Sequence, residues 1–180
     1  MYAVGDLILY GRTGVCRVEE IDEDAPRNAE EARQYYRLRP LYQNCSIRVP
    51  VANGKIFSRP IVSRGEAESL IRRMPELEAE PYYNRNLNQL REHYRQHLEG
   101  GRCEDLVRLT KSLYRKKQEA EASRRKFGSV DERFMKEAED LLFGELAAAL
   151  GIERGAVERY ITGFLNGTAE NAVDNSALSQ

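Results

Sequence analysis

The sequence predicts an α+β protein built in two parts, a small β module followed by a four-helix module. Short apolar runs interrupted by Gly, Asn and Pro fill roughly the first sixty residues. From Asn84 onward the apolar period changes to about 3.6. Charge divides along the same lines. Residues 1–83 carry 12 Lys/Arg against 13 Asp/Glu, residues 84–127 carry 12 against 6, and residues 128–180 carry 4 against 10. The net charge of −1 over 180 residues conceals this asymmetry.

The β elements follow in order. Leu7-Ile8-Leu9-Tyr10 is an apolar run ended by Gly11 and Thr13-Gly14. Val15 to Ile21 alternates, with Val15, Arg17, Glu19 and Ile21 on one side and Cys16, Val18 and Glu20 on the other. Residues 22–33, acidic and containing Pro26, suit a long hairpin loop. Tyr35 to Tyr42 and Ser46 to Val51 supply two more strands, the last edged by Pro50. Strands this short, packed into so few residues, suggest a strongly bent sheet or open barrel.

Glu66 to Met74 reads as a short helix, after which Pro75 and Pro81 frame an acidic linker. Leu87, Leu90, Tyr94 and Leu98 form the stripe of the next helix, stopped by Gly100-Gly101. Cys103, Leu106, Val107, Thr110, Leu113 and Tyr114 make a second face. Ser129-Val-Asp-Glu132 has capping-box spacing before a third face of Phe134, Ala138, Leu141, Leu142, Glu145 and Ala149. Ile152, Ala156, Val157, Tyr160, Ile161 and Phe164 make the fourth. The expected division is therefore 1–65 for the β domain, 66–83 for a short helix and linker, 84–166 for the helical domain, and 167–180 for a disordered tail.

Composition narrows the function. Cys16, Cys45 and Cys103 are odd in number and scattered, without a C-x-x-C pair, which fits a reducing cytoplasm. The N-terminus lacks a basic then apolar leader, and no apolar run approaches the roughly 20 residues of a membrane span. No nucleotide-binding, hydrolase or metalloprotease motif occurs, so no enzymatic activity and no cofactor is expected. His93 and His97 sit four apart on one helix, but without acidic or cysteine partners a metal is not expected.

Val4-Gly5-Asp6-Leu7-Ile8-Leu9-Tyr10 resembles the V-G-D-x-V-V-Y opening of the CarD/CdnL family of bacterial RNA polymerase-binding transcription regulators. Gly14-Val15, Val18-Glu19-Glu20-Ile21, Ile47-Arg48-Val49-Pro50 and Leu141-Leu142-x-Gly144-Glu145-Leu146 continue the likeness in the family's order. The resemblance implies a Tudor/SH3-like N-terminal barrel that docks on the polymerase β subunit, a domain also present in transcription-repair coupling factors. It further implies a helical domain at the upstream edge of the promoter bubble, where it alters open-complex stability without reading sequence. A cytoplasmic, nucleoid-associated location follows from that role.

Arg48 matches a family arginine that pairs with a polymerase acid, and a planar guanidinium on an edge strand suits a carboxylate. A second family arginine falls near Asp24 here, for which Arg17, Arg37 and Arg39 are candidate replacements. The DNA candidates are Arg85, Asn88, Arg91, Arg95, Lys116, Lys117, Arg124, Arg125 and Arg133, since clustered cations release phosphate counterions. Arg102, Arg108, Lys111, Arg115 and Lys126 share the same basic stretch.

The family's minor-groove tryptophan falls on Leu87, and the chain has no tryptophan. Leu87 is either an apolar wedge against a base step or the first core residue of its stripe. Tyr82 and Tyr83 are candidates for stacking or, more simply, for packing the linker. The competing function is a stand-alone, non-sequence-specific DNA-binding protein whose β domain serves another protein partner.

Overall fold

The computed structural model describes residues 1–23, 34–52 and 56–167. Of the hairpin loop expected at 22–33, Asp22 and Glu23 instead prolong the second strand, while residues 24–33, Asp24 among them, and the tail beyond Gly167 lie outside the described residues.

Among the described residues five strands form one antiparallel sheet: β1 (Leu7–Tyr10), β2 (Gly14–Glu23), β3 (Gln34–Pro40), β4 (Ile47–Pro50) and β5 (Ser58–Pro60). Their order is β4-β3-β2-β1-β5, an open run with β4 and β5 at its ends. β5 escapes sequence reading because it is three residues long and ends in Pro60, which fits only a sheet edge. The inner face collects Ile8, Tyr10, Cys16, Val18, Tyr36, Leu38 and Val49.

The strict alternation expected of β2 fails at Glu19. Arg17 pairs with Arg39 and Val18 with Leu38, but the next pair is Glu20 with Arg37, so a bulge inserts one residue. Beyond it Ile21 packs on the inner cluster and Glu20 turns outward.

Among the described residues five helices follow, the short helix expected at 66–74 and four more, so that the C-terminal part holds five rather than four: α1 (Arg64–Arg73), α2 (Leu87–Glu99), α3 (Cys103–Ala122), α4 (Ser129–Leu150) and α5 (Val157–Leu165). α1 belongs to the helical core, because its Ala67, Leu70 and Ile71 pack with α3 and α4 residues in one cluster. It starts earlier than expected, at a full capping box in which Ser63 and Glu66 satisfy each other's backbone N–H. The capping box expected at Ser129 does not form. Gly128 takes the cap position there without a side-chain bond, and Asp131 turns into the core instead.

The sheet's outer surface is divided. Over β2, β3 and β4 it faces solvent, but around the β1–β2 turn Leu9 and Val15 are as buried as the inner residues. The helical part covers them: Tyr42 Oη donates to the Gly144 carbonyl at 2.9 Å, and Arg12 forms a two-pronged pair with Glu137 of α4. A Cβ on Gly144 would stand 3.0 Å from the Tyr42 ring, so a glycine is what lets strand loop and helix approach.

Candidate polymerase and nucleic-acid surfaces

The exposed sheet face holds four arginines brought together by register. Arg17 lies opposite Arg39, and Arg37 opposite Arg48. Each sits between inward-pointing neighbours, so strand alternation alone sends it outward. Three have acidic partners of their own: Arg37 with Glu20 (2.7 Å) and Asp22 (3.4 Å), Arg39 with Glu19 (3.2 Å), and Arg48 with Asp22 (3.6 Å). Arg48 also lies over the Tyr35 ring, 4.1 Å from its centre. Exposed pairs of this kind contribute roughly 0–1 kcal/mol, so a partner's carboxylate can exchange for them with little penalty. The result is a preformed, mixed-charge face that runs from β2 across β3 to the end strand β4, suited to docking another protein.

The second surface gathers at the start of α2. Asn86 caps the helix, accepting from the N–H groups of Asn88 and Gln89. Of the apolar stripe, Leu90, Tyr94 and Leu98 are buried, while Leu87 remains 51% exposed. The core reading of Leu87 is thereby corrected: the stripe runs one turn past the end of the core it serves. Arg85 and Asn88 flank it in the open, and Arg91 reaches Asn88 at 3.2 Å. Tyr83, 60% exposed, donates to Glu119 of α3, and a pocket of about 110 Å³ joins it to Arg125, Lys126 and Phe127. The α3–α4 turn therefore lies beside the approach to α2.

α2 and α4 run side by side in the same direction. The Tyr94 ring lies against Phe134 at 5.2 Å, and Arg59 joins Gly101 to Glu145 at the far end. Arg12 pairs with Glu137 and lies within the field of Glu99. Arg133 and Arg95 each precede one of those carboxylates by a turn, at exposed positions. Of the basic candidates, Arg85, Arg95, Arg124, Arg125, Lys126 and Arg133 are exposed and Arg91 and Lys117 half-buried, with Arg95 paired to Glu92 at 2.9 Å.

Other basic residues are committed within the molecule. Lys116 is only 8% exposed, bonded to Asp131 (2.7 Å) and the Tyr94 hydroxyl (3.1 Å), which itself donates to Asp131 at 2.6 Å. Lys116 is thus corrected from DNA candidate to core residue: its position on α3 points between α2 and α4, where only a paired charge is tolerated. Burial first, then the bond to Asp131, pushes the Tyr94 phenol well up. Lys111 binds the carbonyls of Met74 and Leu77, Arg108 that of Glu78, and Arg115 pairs with Glu80. These three fasten the acidic linker to α3.

The histidines pack. His93 stacks on Tyr82 with ring centres 3.8 Å apart, and His97 Nδ1 lies 2.8 Å from the His93 carbonyl oxygen. Burial, with His97 and Lys116 adding to it, lowers the His93 pKa. Among the described residues no three His, Cys, Asp or Glu side chains form a metal cluster, and no helix is long and apolar enough to cross a membrane.

Sequence reading missed the contacts between the two parts. Glu145, in the midst of an apolar helix face, is fully buried, with Arg59 of β5 as its partner. The signal was visible as a lone acid at an inward position, which demands a cation.

An antiparallel sheet with an exposed arginine face precedes the helical unit. The module is of the CarD type: residues 2–61 match the family model described as the CarD-like/TRCF RID domain. The β domain is thus similar to the CarD-like/TRCF RID domain, a likeness that supports an RNA polymerase-interacting, transcription-related role for this part of the chain. The helical residues lie outside the match. No curated protein matches the chain.

Proposed function

We propose that the protein is a non-enzymatic transcription regulator. On this reading the β domain docks on the polymerase β subunit through Arg48 with Arg17, Arg37 and Arg39. The helical part then meets promoter DNA at the upstream edge of the bubble and changes the lifetime of the open complex. The DNA contact is to backbone and minor groove, without sequence reading, and the setting is the cytoplasm beside the nucleoid.

One observation carries the DNA half: a leucine left half in solvent at the first turn of α2, between Arg85, Asn88 and Arg91. An exposed apolar side chain amid cations is the combination that proteins use to part a base step while holding its phosphates. The test uses purified polymerase. The protein should be retained by polymerase without DNA, lose retention on Arg48→Glu, and change the dissociation half-life of promoter complexes. Failure to associate with polymerase would leave only a stand-alone DNA-binding role.

A further inference from the structure

We infer that Arg59 and Glu145 are positioning residues that set the angle between the polymerase-docking sheet and the DNA-facing helices. The inference rests on the proposed function for its consequence, but on the buried pair for its geometry.

Glu145 is 0% exposed, and both its oxygens are used. Arg59 Nη1 donates to Oε1 and Nη2 to Oε2 (2.9 Å), and the Val62 N–H donates to Oε1 at 3.0 Å. The same guanidinium donates from Nε to the Gly101 carbonyl and from Nη1 to the Pro60 carbonyl at 2.9 Å. A single side chain of β5 therefore holds α4 and the turn between α2 and α3. Phe57 closes over that turn: a Cβ on Gly101 would overlap the Phe57 ring, and Gly101 has φ +75°, so a glycine is required twice over.

Such a pair is a poor choice for stability alone. Glu145 is wholly out of water and the Arg59 side chain only 21% exposed; desolvating such a pair costs about what its attraction returns, and apolar residues of similar volume often do as well or better. What the pair adds is direction, since a two-pronged guanidinium–carboxylate contact fixes orientation as apolar packing does not. The direction in question is that of α2, which ends at Gly100-Gly101 and carries Leu87 at its other end. On the sheet side, β5 pairs with β1 and β1 with β2, which carries Arg17. Arg59 thus lies on a short covalent and hydrogen-bonded route between the two surfaces.

The experiment measures the distance distribution between two spin labels in the full chain, one on the native, exposed Cys45 and one on Glu121→Cys, at an exposed α3 position. Cys16 and Cys103 are buried, with burial pushing the Cys16 thiol up to about 12 and Cys103 well above its ordinary value, so they stay unlabelled. With Arg59 and Glu145 in place the labels should give one narrow distance. Glu145→Gln and Arg59→Lys should broaden it and reduce the change in open-complex lifetime roughly fivefold or more, with polymerase retention and duplex binding unchanged.

The double variant Arg59→Met/Glu145→Leu guards against simple misfolding. It should melt near or above the native temperature yet keep the broad distance and the reduced effect. A narrow distance with full effect in that apolar pair overturns the inference. A native protein with no effect on open-complex lifetime defeats the proposed function instead, while the distance measurement still decides whether the pair orients the two parts.

Discussion

Truncating Leu87 to alanine separates a wedge from a packing residue by magnitude. Fully burying a leucine stabilises by about 1.5–3 kcal/mol. Leu87 has 51% of its surface still in water, so roughly half of that, about 0.8–1.5 kcal/mol, is left to gain from insertion against a base step. Removing the side chain should shorten the open-complex lifetime by a factor of about 4 to 13. The folding cost is bounded by the half already buried, no more than about 1.5 kcal/mol, whereas a core leucine would lose about 2–5. The assay pairs dissociation of promoter complexes under competitor challenge with urea denaturation of the free protein. An unchanged lifetime in a variant that polymerase still retains refutes the wedge. A folding loss above about 3 kcal/mol refutes the exposure on which the reasoning stands.

Replacing Arg91 and Arg95 by Glu should lower the slope of log affinity for duplex DNA against log salt by about 0.9 for each phosphate no longer neutralised, and a titration at several salt concentrations with an unchanged slope contradicts their role. Asp131→Ala leaves Lys116 charged and unpaired in the core, which should cost about 3–5 kcal/mol in a denaturant melt, while Lys116→Met/Asp131→Leu should recover most of it. An Asp131→Ala protein as stable as the native one would mean that the pair is not buried in solution.

The fold class was legible because it depends on period, and period survives tertiary context. The stripe through Leu90, Tyr94 and Leu98 and the face through Phe134, Ala138, Leu141 and Leu142 are buried as read. Where the reading failed, an interaction between parts of the chain had overridden a local rule. The bulge at Glu19 reverses the sides of β2 from there on, which no local pattern announces. Val15 and Cys16 are adjacent and both buried, because a helical layer covers what a lone sheet would leave wet. Ser129 had the spacing of a cap, but Asp131 two residues on is drawn inward by Lys116 of α3. Of the candidate site, Arg48 and Leu87 follow from the family resemblance, and Arg17, Arg37 and Arg39 from the search for a replacement at Asp24; only strand register puts the four arginines on one face. Arg59 and Glu145 stand 86 residues apart, and only the assembled structure joins them.

The distribution of charge in the basic segment bears on how the proposed regulator would hold DNA. Its +6 suggests a strong electrostatic grip, but Lys116 is engaged by Asp131, Arg102 by Asp105, and Arg108, Lys111 and Arg115 by the linker and α3 acids. The remaining exposed cations, near Leu87 and on the α3–α4 turn, are few enough that binding to DNA alone should be weak and easily screened. Docking on polymerase changes the arithmetic. A second site held at short range meets its target at an effective concentration on the order of millimolar, and a modest surface then suffices. That gain exists only if both surfaces can engage at once, which is a matter of angle and span. A protein of this design therefore depends less on the strength of either surface than on the buried pair that holds them in register.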